Sequence, residues 1–323
     1  MPGQAIRADG LVKRYGDTAA LDGVSFDVPR GSVCGLLGPN GAGKTTAGRI
    51  LTTLTDADGG RAEVGGIDVA ADPQGVRHIM GLAAQDATVD GILTGHENLV
   101  MIGRLHHLPR REAAARADEL LGQFSLSDAG GRLVKTYSGG MRRRLDLAAT
   151  LVARPQVLFL DEPTTGLDPR ARNELWDVLE TLVAEGTTIM LTTQYLEEAD
   201  RLADDIVVID HGRVIARGDA ASLKRQVGGS QLALTVADPA RRDDALRLLA
   251  GVAGADPHVD ADGRTLRAPT DAGAGAVAEL ARRLEADGIA VEGLGIAQPT
   301  LDDVFLTLTG AHIEEGEGDD DRR

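Results

Sequence analysis

The residues Gly38-Pro39-Asn40-Gly41-Ala42-Gly43-Lys44-Thr45 set a glycine-rich turn between an apolar run and a stretch that reads as helix. Glycines let backbone N–H groups turn inward around phosphate oxygens, and a helix start adds favourable partial charge. The spacing is G-x-x-x-x-G-K-[ST], with the strand before it and the helix after it that this chemistry needs. Lys44 is expected to reach the β- and γ-phosphates of a nucleotide, Thr45 to hold Mg²⁺, and Thr46 to donate to a phosphate. Asp161 closes the apolar run Val157-Leu158-Phe159-Leu160, so it falls at the carboxyl end of a strand, near the loop. A carboxylate there can hold Mg²⁺ directly or through water. Glu162 points differently and can take a proton from an attacking water. Ser138-Gly139-Gly140 precedes a helix over 141–149, and donors at a helix start make a second anion site. Alone, that turn reads equally well as an ordinary helix cap.

Regular elements must position these groups. Leu21, Val24, Phe26 and Val28 alternate partly, as strand residues do, within a region of strands and turns over 5–35. The run Ser32-Val33-Cys34-Gly35-Leu36-Leu37 is short, apolar and followed by glycine, as a buried parallel strand should be. A helix is expected over 44–54. Residues 87–150 read as a helical insert, with a charged amphipathic helix over 110–124. The sheet resumes at 157–160. Leu175, Val178, Leu179, Leu182 and Val183 give a core stripe to a helix over 171–184. Strands follow at 188–192 and 206–210, then a hairpin at Asp210-His211-Gly212-Arg213. Strands alternating with helices imply an α/β fold with a mainly parallel, doubly wound sheet. The Gly38–Thr45 phosphate loop makes that core of the P-loop NTPase kind, with 87–150 as its helical insert.

Beyond about residue 228 the character changes. Strands at 231–236 and 289–296, helices at 243–249 and 274–286, and a hairpin about Asp262-Gly263 give the order β-α-β-β-α-β. That order implies a small α+β, ferredoxin-like domain. The division expected is therefore 1–227, 228–311 with a short closing helix at 301–309, and an acidic tail, 312–323, too polar to fold.

The chain has 323 residues, 42% of them hydrophobic, and a formal net charge of −16. The length allows one large or two modest domains, and the acidic balance argues against nucleic acid. The one cysteine, Cys34, cannot form an internal disulfide, which fits a reducing compartment. The first residues lack the apolar core of a signal peptide and no run is long enough to span a membrane, so a cytoplasmic protein is expected. His96-Glu97-Asn98 lacks the second histidine of a zinc helix, His106-His107 has no ligand spacing, and Trp176 is read as packing.

Taken in order along the chain, the phosphate loop, the Ser138-Gly139-Gly140 turn and Asp161-Glu162 resemble the ATP-binding subunit of an ABC transporter. The resemblance spans nearly the whole chain. It implies a homodimer that sandwiches ATP: Ser138 and its glycines cover the γ-phosphate held by the partner subunit's Lys44. Gln85 resembles the glutamine that contacts Mg²⁺ and the attacking water and couples to a membrane partner. Gly166-Leu167-Asp168-Pro169 resembles the loop that communicates across the dimer, and Tyr15 the aromatic that stacks on adenine. Gln194 departs from the general pattern, standing where most such ATPases have a histidine that contacts the γ-phosphate. A glutamine donates a hydrogen bond but does not titrate, so slow basal hydrolysis is expected.

The stretches Thr192-Thr193-Gln194-Tyr195-Leu196-Glu197-Glu198-Ala199-Asp200, Ser138-Gly139-Gly140-Met141-Arg142-Arg143-Arg144 and Pro299-Thr300-Leu301-Asp302-Asp303-Val304-Phe305 resemble the daunorubicin-resistance branch. That likeness implies ATP-driven export of a hydrophobic antibiotic through a separate integral-membrane permease, with the ATPase peripheral on the inner face of the membrane. A nucleotide-gated regulator is a second reading. It rests on Gln194, and the intact Lys44, Asp161 and Glu162 weigh against it. A soluble ATPase of translation or DNA maintenance is a third, opposed by the single motif set and the acidic balance.

Overall fold

The computed structural model describes residues 3–84, 89–193, 195–227, 230–260, 262–270, 273–297 and 299–309. Gln85, Gln194 and the acidic tail lie outside the described residues. The chain divides into two compact units, the first running over Met1–Ala220 and the second over Ala221–His312.

The first unit opens with β1 (Gln4–Tyr15), β2 (Thr18–Pro29) and β3 (Val33–Leu37), then α1 (Lys44–Leu51). β4 (Gly59–Val64), β5 (Ile67–Asp68), α2 (Pro73–Ile79) and β6 (Met80–Ala83) follow. The helical insert holds α3 (Gly95–Leu105), α4 (Arg110–Gln123) and α5 (Gly139–Thr150). The sheet returns with β7 (Val157–Asp161), α6 (Pro169–Ala184), β8 (Thr188–Thr192), α7 (Leu196–Leu202), β9 (Asp205–Asp210) and β10 (Arg213–Gly218).

Two sheets result. β2-β1-β4-β5 is antiparallel, and β10-β9-β3-β8-β7-β6 is parallel except for the edge strand β10. All five residues of β3 and of β8 are buried, as strands covered on both faces must be. The pleat sends alternate side chains to two cores. Leu158, Leu160, Ile189 and Leu191 pack with the α4, α5 and α6 residues Leu120, Leu145, Leu175 and Leu179. Val157, Phe159, Met190 and Cys34 pack with β1, β2 and α1. Burial pushes the Cys34 thiol up to about 12, so it is an inert core group.

α1 stops at Leu51, short of the expected 54. Thr52 returns its hydroxyl to the Gly48 carbonyl at 2.8 Å, and Thr53 turns to a φ of 61°. Residues 59–79, to which the sequence reading assigned no elements, supply β4, β5 and α2. Among the described residues no helix is long and apolar enough to cross a membrane.

α8 (Ala220–Val227) begins at the last residue of the first unit, and the second unit goes on with β11 (Gln231–Val236), α9 (Arg242–Ala253), β12 (His258–Val259), β13 (Thr265–Pro269), α10 (Gly273–Ala286), β14 (Val291–Ala297) and α11 (Leu301–Thr309). Its sheet is antiparallel in the order β12-β13-β11-β14, the ferredoxin-like arrangement. Leu232, Leu234, Leu249, Leu266, Leu280 and Leu284 form its core. α9 outlasts the expected 249 and ends where Gly254 takes a left-handed φ of 72°.

Candidate active site

The register of the parallel sheet builds one edge. Leu36 of β3 pairs with Thr192 of β8, and Thr192 pairs with Asp161 of β7. The phosphate loop after β3 and the carboxylates after β7 therefore emerge at the same carboxyl edge, on either side of β8. Ligands of open α/β sheets bind at this edge.

The loop is pressed against its neighbours. A Cβ at Gly38 would run into the carbonyl oxygen of Ile209 on β9. Gly43 has a φ of 111°, and a Cβ there would lie 2.5 Å from the Ala20 carbonyl oxygen. Gly43 is the N-cap of α1 and offers no side-chain acceptor, so the first N–H groups of the helix have no side-chain cap. Lys44 is 7% exposed. Its Nζ donates to the carbonyls of Gly38 and Pro39 at 2.5 and 3.1 Å. Burial lowers the Lys44 pKa, against the opposing pull of Glu162 and Asp161.

Ala20, Asn40, Gly41, Ala42, Gly43, Lys44, Thr45, Thr46, Asp161 and Glu162 line one cavity of about 260 Å³. The Asp161 Oδ1 accepts a hydrogen bond from Thr192 Oγ1. Glu162 adopts a φ of 47°, its N–H donates to the Thr192 carbonyl at 3.0 Å, and its Oε2 accepts from Thr165 Oγ1 at 3.4 Å. The exposed Thr45 hydroxyl and the Asp161 carboxylate are hard oxygen donors on the same wall. That is the donor type Mg²⁺ takes, alongside phosphate oxygens, so the residues present fit the ion.

The other sequence candidates stand apart from this wall. Ser138 is exposed and caps α5, its Oγ accepting from Met141 N at 3.2 Å; Gly139 and Gly140 begin the helix. None of these three is among the residues lining the cavity. Asp168 caps α6 by accepting from Ala171 N at 2.8 Å. Tyr15 is half exposed at the end of β1, with Lys13 Nζ 5.7 Å from its ring centre. Gln85 follows directly on the Ala84 stem after β6, and Gln194 on the buried Thr193; neither is itself described.

Three further groups support the site and were not identified from sequence. Thr192 bonds Asp161 as above. Arg143 donates to backbone carbonyls of two site segments, Ala84 and the stretch Asp161-Glu162-Pro163. Glu198 is fully buried; burial raises its carboxyl pKa, while hydrogen bonds from Thr193, Trp176 and Thr164 act the other way. Trp176 Nε1 donates to it at 3.2 Å, so the packed indole also links α6 to α7. The charged run Arg142-Arg143-Arg144 was the only visible signal for Arg143. His96 sits 3.4 Å from Asp118, and among the described residues no group of three histidine, cysteine or carboxylate side chains is placed to hold a metal ion.

A phosphate loop and a strand-end carboxylate pair at the carboxyl edge of a parallel sheet define a P-loop nucleotide-binding protein. The ABC transporter family model matches residues 21–165. The chain is 54% identical to the daunorubicin resistance ATP-binding protein DrrA2 of Streptomyces coeruleorubidus, covering 98% of each. It is 52% identical to the daunorubicin/doxorubicin resistance ATP-binding protein DrrA of Streptomyces peucetius, over 96% of this chain and 93% of that one. A solved ATP-binding subunit of an ABC transporter superposes with a TM-score of 0.63 at 28% identity, over 69% of this chain and 92% of the other. The chain belongs to the ATP-binding subunits of ABC transporters, in the daunorubicin/doxorubicin-resistance family. It is an ATP-binding transport ATPase.

Proposed function

We propose that this chain powers the export of a hydrophobic antibiotic through a separate membrane permease, working as a homodimer that closes on two molecules of ATP. The observation that carries the reading is a division of labour within one chain. Lys44, Thr45, Asp161 and Glu162 share a cavity, while a second helix-start turn, Ser138 to Gly140, faces solvent outside it. A site split in this way is completed by a second copy, whose turn covers the γ-phosphate. The drug-resistance names of the relatives support the cargo class.

In hydrolysis, Lys44 Nζ holds the β- and γ-phosphate oxygens of the substrate, and Thr46 donates to a phosphate. Thr45 and Asp161 would hold Mg²⁺, with Gln85 as a further contact, and the ion would supply neutralisation of phosphate charge. Glu162 accepts the proton of the attacking water on its carboxylate. Tyr15 stacks on adenine, Gln194 donates to the γ-phosphate, and Asp168 lies in the loop facing the partner. Gln85 and the helical insert pass closure to the permease. The protein then works at the inner face of the membrane, in the cytoplasm. The accessory domain, 228–311, has no assigned ligand.

The test is Mg-ATP hydrolysis by the purified chain and by Glu162→Gln, with the oligomeric state measured in ATP. Loss of about 10²- to 10⁴-fold in turnover with an ATP-stabilised dimer is expected of the variant. Equal turnover in the two proteins would remove Glu162 as the base. No turnover in either, with the permease present, would sink the motor reading.

A further inference from the structure

Arg143 lies in α5, on the helix that Ser138 caps. Its side chain is only 13% exposed and faces the buried Asp146 carboxylate, one turn along the helix, at 3.9 Å. Its hydrogen bonds go to backbone. It donates to the carbonyls of Ala84 at 2.5 Å, Asp161 at 2.9 Å, Glu162 at 3.1 Å and Pro163 at 3.1 Å. Ala84 is the stem that leads into Gln85. Asp161 and Glu162 are the cavity carboxylates. Pro163 opens the loop that runs to Asp168.

Two observations give this fan of hydrogen bonds a purpose. Glu162 holds a left-handed φ of 47°, a strained conformation for a non-glycine residue that persists only when neighbours over-determine it. Arg143 is one of those neighbours, with Thr192 and Thr165, whose N–H donates to the Glu162 carbonyl at 3.3 Å. Second, the turn itself leans on the same loop: a Cβ at Gly140 would lie 3.4 Å from Leu167 Cδ2. The helix that starts at the solvent-facing turn is thus tied, within one chain, to the backbone carrying the carboxylates.

We propose that Arg143 is a positioning residue that holds the Glu162 backbone in register with α5, so that engagement of the Ser138–Gly140 turn sets the geometry of Glu162 in the same chain. The inference rests on the dimer reading above, in which that turn meets the nucleotide held by the partner's Lys44. Nucleotide in one site then adjusts the carboxylate of the other. Four acceptors on two segments, the Ala84 stem and the consecutive residues Asp161, Glu162 and Pro163, need a planar fork with five donors; a lysine ammonium, with three donors on a flexible stem, does not span them.

The experiment compares wild type, Arg143→Lys and Glu162→Gln as full chains. ATP dependence of hydrolysis, ATP binding, thermal unfolding and oligomeric state in ATP are measured for each. Wild type is expected to respond cooperatively to ATP. Arg143→Lys is expected to bind ATP within about threefold of wild type, to lose on the order of 10- to 100-fold in kcat, and to have a Hill coefficient near 1. A merely structural role would lower the Tm and leave the Hill coefficient in place, and that result overturns the proposal. So does wild-type kcat and cooperativity in Arg143→Lys. Should the lysine variant fail to fold, Arg143→Gln, neutral and with two donors, is read by the same criteria. If Glu162→Gln loses turnover and forms the ATP dimer while Arg143→Lys behaves as wild type, this inference alone fails. If Glu162→Gln keeps its turnover or never dimerises, the site reading fails and this inference with it.

Discussion

Lys44 Nζ stands 2.5 Å from the carbonyl oxygen of Gly38, so the phosphate loop's own backbone orients the ammonium that its ligand would meet. Losing a buried, hydrogen-bonded charge partner costs about 2–5 kcal/mol, or roughly 30- to several-thousand-fold in affinity. Lys44→Ala is expected to lose ATP affinity in that range. The Tm should hold, because burial already disfavours the ammonium. Calorimetric ATP titration and thermal unfolding check both; affinity within threefold of wild type would contradict the phosphate-loop assignment.

Gly38→Ala tests how closely the loop is pressed to β9. The added Cβ meets the Ile209 carbonyl oxygen, which is backbone within a sheet and has little room to yield. Overpacking of this kind costs about 1–3 kcal/mol. At roughly 2–4 °C per kcal/mol for a unit of this size, the Tm should fall by about 2–12 °C. An unchanged Tm would show that the loop and β9 are not in this contact.

Thr192→Val keeps the shape of the side chain and removes the hydroxyl that donates to Asp161. A lost partner of a metal-ligating carboxylate typically costs about 10- to 100-fold in metal affinity. The Mg²⁺ concentration for half-maximal ATP hydrolysis should rise by that factor, with ATP binding measured without metal little changed. An unmoved Mg²⁺ dependence would show that the Thr192 hydroxyl does not orient Asp161 for metal.

Gln194→His restores a titratable group at the position where glutamine departs from the family pattern. Turnover of the purified chain is expected to rise and to gain a pH dependence near neutrality. No change in rate would mean that this position does not limit hydrolysis.

In the second unit, His258 Nε2 is 3.1 Å from Asp303 Oδ1 and 3.5 Å from Asp260 Oδ1, and Arg267 also faces Asp260. The Asp303 hydrogen bond raises the His258 pKa above 6.5 despite partial burial. For Asp303, burial would raise the pKa, but hydrogen bonds from His258 and Thr300 bring it well below the usual carboxylate range. The signs follow by linkage. The histidine's contribution is fully present below pH 6.5 and is lost as pH rises through its raised folded value. The Asp303 contribution is present above pH 3.8 and is lost as pH falls toward its folded value. Thermal unfolding between pH 6 and pH 9 should show a loss of stability that His258→Gln abolishes; an equal pH response in both proteins would disprove the link.

By itself, the sequence determined the local units. The apolar run 33–37, the glycines after it and Lys44 form strand, turn and helix start because each step depends on neighbours in the chain. Asp161 reads as the end of a strand for the same reason, and Ser138 as a helix cap. Tertiary structure decided what these units touch. Thr192 meets Asp161, 31 residues away, because β8 lies between β3 and β7, an order set by long-range strand pairing. β4, β5 and α2 are short and partly exposed, so they carry little periodicity. Arg143 was silent for a deeper reason. Its acceptors are main-chain carbonyls, which every residue type carries alike, so no pattern of side chains marks where its guanidinium goes.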